Sequence, residues 1–150
     1  MNIKFREAEV RDLERCIAIR GMTRDNPISR ENLRLNGVTK EAWEPLLLNG
    51  SIIGDVAEFE DEVIAFCFAD MATGEVLVLA VLPEYEGNGI AKNLLSKVVE
   101  KLFHSGLNKL WLTASSDPDV RAHGFYRHLG WRFSGETDHI EDEVLELRKP

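Results

Sequence analysis

The residues with the clearest chemical potential are Val81-Leu82-Pro83-Glu84-Tyr85-Glu86-Gly87-Asn88-Gly89-Ile90-Ala91. An apolar run ends at Pro83, two glycines follow, and a long helical pattern begins. Gly87 and Gly89 let the backbone turn with its N–H groups facing into the loop. The helix start adds partial positive charge. Such a loop holds phosphate with few basic side chains, and Lys92 in the first helical turn adds a charge. A ligand-free strand-to-helix turn fits the same residues. A dinucleotide loop would need a third glycine where Lys92 stands, and no Gly-Lys-Ser/Thr follows to make a P-loop.

A second segment narrows the chemistry: Asp119-Val120-Arg121-Ala122-His123-Gly124-Phe125-Tyr126-Arg127-His128-Leu129-Gly130-Trp131. Together the two segments resemble the GNAT superfamily of acetyl-CoA-dependent N-acetyltransferases. Val81, Pro83, Gly89 and Ala91 match that family's Val-x-Pro and [Gln/Arg]-x-x-Gly-x-[Gly/Ala] pattern. Ala122, Tyr126, Leu129, Gly130 and Trp131 match its later Asn-x-x-Ala-x-x-x-Tyr and Leu-Gly-[Phe/Trp] pattern. A helix and a strand separate the two motifs, as in the family, and the element order matches more loosely along the whole chain.

The resemblance implies a set of roles. Main-chain N–H groups of Glu86, Gly87, Asn88, Gly89, Ile90 and Ala91, aided by Lys92, would hold the acetyl-CoA pyrophosphate. The strand ending at Val81 would splay from Lys109–Ala114 and admit the pantetheine arm. An N–H among Leu79, Ala80 and Val81 would polarise the thioester carbonyl. Tyr126 would protonate the departing thiolate and contact the coenzyme. Asp119 stands where the family often has a pantetheine-binding Asn, keeping an acceptor but losing the amide donor. Glu86 replaces the usual Gln or Arg, and its side chain is expected to point outward, away from the phosphates.

Acylating an amine requires a neutral nucleophile. An amine of pKa ~10.4 is deprotonated about once in two or three thousand molecules at pH 7. A positioned base is worth roughly 10²–10⁴-fold. Glu75 opens an apolar strand eleven residues before Glu86, the spacing of a glutamate base in the histone-acetyltransferase branch. Desolvation there would raise its pKa. A solvated residue after the Thr73-Gly74 turn is the alternative, as is a water relay, with Asp70 and Glu84 as weaker candidates. Tyr126 beside Phe125 also fits plain core packing. His123 and His128 lack the i, i+4 spacing of a shared metal pair, and no CxxC occurs, so no metal is assigned.

Several elements must position these groups. Ile3 and Phe5 alternate with Lys4 and Arg6 as in a first strand, and Leu13, Cys16, Ile17 and Arg20 follow helical spacing. Ser29 and Thr39 suit helix caps, and Pro45 should bend or break the second of those helices. Ile52–Phe59 and Val63–Ala69 read as strands, the second apolar on both faces and therefore central. Glu75–Val81 is a further strand. Ile90, Leu94, Leu95, Val98, Leu102 and Phe103 form one helical stripe, ended by Gly106. Lys109–Ala114 is a strand, Asp117-Pro118 suits a helix start running to about Leu129, and residues 131–133 and 144–147 close the chain as strands. The expected fold is α/β: a mixed, mostly antiparallel sheet of about six or seven strands and about four helices, with a splayed parallel pair at its centre.

With 150 residues and 44% hydrophobic content, the chain suits one N-acetyltransferase domain over residues 1–150, burying about 70% of its unfolded surface. Its formal charge of −8 disfavours general nucleic-acid binding. No apolar run is long enough to span a membrane. Cys16 and Cys67 lie in apolar runs, and the N-terminus lacks a signal core, so a cytoplasmic protein is expected. The expected partner is a small-molecule or peptide amine, selected by residues 21–50 and 134–143. Their acids, including Asp25, Glu31, Asp138, Glu141 and Asp142, hint at a cationic acceptor. A homodimer is consistent with the resemblance. Two other readings stay open: a catalytically weak acetyl-CoA-binding sensor, and a transferase of a longer acyl group.

Overall fold

The computed structural model describes residues 1–150. Its strands are β1 (Lys4–Glu7), β2 (Ile52–Phe59), β3 (Glu62–Asp70), β4 (Val76–Val81), β5 (Lys109–Ala114), β6 (Arg132–Thr137) and β7 (Glu143–Arg148). Its helices are α1 (Leu13–Arg20), α2 (Arg30–Leu35), α3 (Lys40–Leu48), α4 (Ile90–His104) and α5 (Arg121–His128). The strands form two antiparallel sheets, ordered β1-β2-β3-β4 and β5-β7-β6. A single parallel bridge, Glu75 to Trp111, joins them. The mixed α/β expectation holds, with five helices instead of about four. The parallel pair is splayed so far that β4 and β5 belong to separate sheets.

The core follows from the apolar patterns. Every residue of β3 from Val63 to Ala69 is buried, because β2 and β4 flank it in the sheet and α1 and α4 pack on it. Helix α4 buries Ile90, Leu94, Leu95, Val98 and Leu102, a stripe with helical spacing, against β2 and β3. Each fully buried leucine is worth about 1.5–3 kcal/mol. Gly54 lets the Phe68 ring lie directly on β2, and Trp43 of α3 meets that ring edge-on at 5.5 Å. The buried acids are both paired. Asp12 accepts two 2.8 Å bonds from Arg6, and Asp55 lies 2.5 Å from Lys101.

Three local expectations are corrected. Helix α5 begins at Arg121, three residues later than the Asp117-Pro118 pair suggested. The Asp117 side chain accepts from the Asp119 N–H and its carbonyl from Val120, closing a turn instead of capping the helix. Helix α3 continues through Pro45. Proline there forfeits one bond to the carbonyl of Glu41, an exposed residue that water can reach. Strand β6 extends to Thr137, past the readable Trp131-Arg132-Phe133. Ser29 and Thr39 do cap α2 and α3, accepting from Asn32 and Ala42.

Candidate active site

Beyond the Glu75–Trp111 bridge, where Trp111 N–H donates to Gly74 at 3.1 Å, β4 and β5 part company. The gap opens into a cleft of about 600 Å³, walled by β4, the end of β5, the 85–92 loop, α5 and residues 20–26. Strand β4 offers donors to it. Leu82 N–H donates to Ile64 across the β3 ladder. By the alternation of an antiparallel pair, Ala80 also points into the ladder, while Leu79 and Val81 turn their N–H groups to the open side.

In the loop that lines the cleft, Gly87 and Gly89 hold φ of 80° and 74°, the left-handed region that glycine enters without penalty. The consequence is a row of free donors. No main-chain N–H from Gly87 to Lys92 donates to any acceptor in the protein, and Gly89 supplies no side-chain cap to α4. Nothing lies within 4 Å of the position a Cβ would take on either glycine. Glu86 differs, since its N–H is taken by Pro83 at 3.2 Å. Loop and helix end together form an anion cradle that suits a diphosphate.

The Glu86 side chain corrects the expectation that it points outward. It lines the cleft at 19% exposure, accepting from Arg121 Nη1 at 2.6 Å and sitting 3.0 Å from Arg24 Nη2. Asp25 accepts from the Arg121 N–H at 3.4 Å. Residues 24–25, the loop and the α5 N-terminus are thereby tied across the cleft mouth.

Tyr126 is half-buried, with Phe125 at 5.1 Å and Trp131 at 6.1 Å in edge-on contacts. Its hydroxyl makes no hydrogen bond within the protein and is not sealed from the cleft it lines. Burial and the neighbouring Cys67 push its pKa up, and Arg20 pulls it back. Arg20 lines the same wall, its Nη1 held by Thr23 Oγ1 at 3.2 Å and by the Asn26 carbonyl.

The structure thus gathers Leu79, Ala80, Val81, Glu86, Gly87, Gly89, Ile90, Ala91, Lys92 and Tyr126 on one cleft. Asn88, Asp119 and Glu75 do not line it. Asn88 turns its amide back to the Tyr85 and Glu86 carbonyls. Asp119 lies in the turn before α5. Glu75 sits at the bridge, half-buried, its pKa raised by burial and by Asp70. The cleft's arginines were not singled out from the sequence, because Arg24 and Arg121 find Glu86 only through tertiary structure.

The acetyltransferase (GNAT) family profile matches residues 15–131. The [ribosomal protein bS18]-alanine N-acetyltransferase of Haemophilus influenzae is 28% identical over 125 residues, covering 83% of this chain and 78% of that protein. An N-acetyltransferase of Thermoplasma acidophilum, solved in complex with coenzyme A, superposes with a TM-score of 0.82 at 22% identity, covering 99% of this chain and 100% of that one. The ribosomal-protein-S18-alanine N-acetyltransferase of Escherichia coli gives 0.71 at 18% identity, with 98% and 94% covered. The last two likenesses speak to the fold, and the profile, spanning strands, cradle and Tyr126 together, speaks to descent: the chain belongs to the GNAT family of acetyltransferases.

Proposed function

We propose that residues 1–150 act as one N-acetyltransferase domain, moving an acetyl group from acetyl-CoA to a primary amine by direct attack while both substrates are bound. The observation that carries this reading is the unbroken row of unpartnered N–H groups from Gly87 to Lys92 at the mouth of a cleft that also holds the Tyr126 hydroxyl. Acetyl-CoA supplies an activated thioester. The cradle N–H groups and Lys92 hold its diphosphate. Leu79 and Val81 N–H groups polarise the thioester carbonyl. As the amine nitrogen bonds to the carbonyl carbon and the C–S bond breaks, Tyr126 passes its proton to sulfur. Glu75 takes the proton lost by nitrogen through intervening water, because its carboxylate lies beyond the cleft wall; its raised pKa makes it the stronger base. The acceptor amine enters between residues 20–26 and the Ile140–Asp142 turn. The named acceptor of the Haemophilus relative, an alanine amine of a ribosomal protein, supports an amine acceptor here. Free, buried Cys16 and Cys67 suit a reducing cytoplasm, and no helix is long and apolar enough to cross a membrane.

The test is thiol release from acetyl-CoA over a panel of amines, with Tyr126→Phe alongside. The variant should lose about 10²-fold in kcat while still binding acetyl-CoA. Unchanged turnover removes Tyr126 from the reaction. Coenzyme binding without thiol release from any amine would leave a binding module instead.

A further inference from the structure

Seven charged side chains line the cleft: Arg20, Arg24, Asp25, Glu86, Lys92, Arg121 and Asp142. Four of them are engaged with one another: Glu86 binds Arg24 and Arg121, while Asp25 lies 3.9 Å from Arg24 and accepts the Arg121 N–H. Lys92 is free but stands in the first turn of α4, beside the anion cradle. Two charges remain without an opposite partner, one of each sign.

Arg20 is the first. The other partly buried arginines, Arg6, Arg15 and Arg127, each meet a carboxylate. Arg20 meets none. Only its Nη1 is used, on the Thr23 hydroxyl and the Asn26 carbonyl. Its Nε and Nη2 have no acceptor, yet neither is a sealed, unsatisfied atom. They therefore keep access to solvent on a residue that lines the cleft. Those two groups form the side-on fork that fits a carboxylate with two parallel bonds. A half-buried cation in a cleft with mostly apolar walls is costly without an anion.

Asp142 is the second. Its own N–H and carbonyl close the turn with Asp138, but its side chain accepts no hydrogen bond and meets no cation. Burial and Asp138 hold its pKa above the usual carboxylate range. Of the other acids that hinted at a cationic acceptor, Glu141 does not line the cleft and three are otherwise occupied. Asp138 Oδ1 accepts from the Ile140 and Asp142 N–H groups, Asp25 from Arg121, and Glu31 pairs with Arg34 at 2.6 Å.

We propose that Arg20 and Asp142 read an acceptor that is itself zwitterionic: a primary amine carrying a carboxylate, of the free amino-acid class. Arg20 takes the carboxylate through Nε and Nη2. Asp142 receives the arriving ammonium. A polyamine would leave Arg20 unanswered and bring cations to it. This inference rests on the acetyl-transfer reading for its location but makes a separate prediction about what occupies the cleft.

The experiment compares free L-amino acids, the same amino acids as carboxamides, and spermidine. Binding is measured by calorimetry on the CoA-loaded chain, and turnover by thiol release. The best amino acid should exceed its carboxamide and spermidine by tenfold or more in affinity and in kcat/KM. In Arg20→Gln the acid-to-amide ratio should fall towards one, and Arg20→Lys should restore part of it. Because Arg20 also ties residues 23–26, Asp142→Asn provides an independent variant, expected to weaken amino-acid binding about tenfold. Amides or spermidine binding as well as free acids, no amino acid binding at all, or an Arg20→Gln loss shared equally by acid and amide each overturns the proposal. Amino-acid binding that depends on Arg20, without thiol release, would keep this inference and remove the transfer reading.

Discussion

At the scale of single residues, the informative feature is the carboxylate at position 86. Its oxygen draws Arg24 and Arg121 together at 3.0 and 2.6 Å and neutralises part of the positive charge beside the Gly87–Lys92 cradle. A coenzyme diphosphate arriving there meets one anion and two cations that are already engaged. Replacing Glu86 with Gln removes the anion and frees both guanidinium groups. One charge about 8 Å away, at an effective dielectric of ~40, is worth about 1 kcal/mol. Glu86→Gln should therefore bind acetyl-CoA roughly fivefold more tightly at low salt. Calorimetry at 50 mM and 1 M salt checks both the gain and its origin, since the Debye length shrinks to about 3 Å at 1 M. No gain at low salt would show that the arginines do not reach the coenzyme. The sequence exposes the replacement of Gln or Arg at this position, yet it gives no direction for the side chain, because both partners lie on remote segments.

The elements that shape the cleft depend on one close fit within the larger sheet and one helix packed on it. A methyl group at position 54 would overlap the Phe68 Cδ1 and Cε1 atoms and meet the Cys67 carbonyl at 3.0 Å. The Phe68 ring cannot retreat freely, with Trp43 at 5.5 Å and Phe66 at 5.7 Å. Gly54→Ala should cost about 1–3 kcal/mol, read as a lower denaturant midpoint with little change in slope. Leu94→Ala, in the fully buried stripe of α4, should cost about 2–5 kcal/mol and loosen the helix whose first turn carries the cradle. These strands and α4 were legible because their patterns are repetitive: β2 and β5 end where the sequence suggests, and α4 runs one residue past Phe103. The start of α5 was not, because Asp117 has two uses for one side chain and only its surroundings choose between them. The cradle and Tyr126 announced themselves as local motifs. Arg20, Arg24 and Arg121 did not, since charge pairing across the fold has no sequence period.

For the whole molecule, acid stability should be set largely by the Arg6 cluster. Desolvation works against the buried Asp12 carboxylate, but the Arg6 bonds, the Glu9 N–H and nearby positive charge more than offset it and hold its pKa below the usual carboxylate value. A depressed folded-state pKa contributes stability that is present above the unfolded value of about 3.9 and lost as pH falls through the folded one. Chemical unfolding from pH 6 to 2 should show that loss, and Asp12→Asn should flatten it. A second prediction concerns how the two sheets are held together. Only the Glu75–Trp111 bridge joins β4 to β5, and the cleft lies between them. A coenzyme bound along that gap contacts both sheets and binds the folded chain alone. At a hundred times its dissociation constant it should add about 2.7 kcal/mol, a rise of roughly 5–10 °C in melting temperature for a domain of this size. Hydrogen exchange should slow most at the Leu79 and Val81 amides, which face the gap, and least at Ala80, whose N–H is already held by β3. A comparable melting shift with no slowing at Leu79 and Val81 would place the coenzyme outside the cleft.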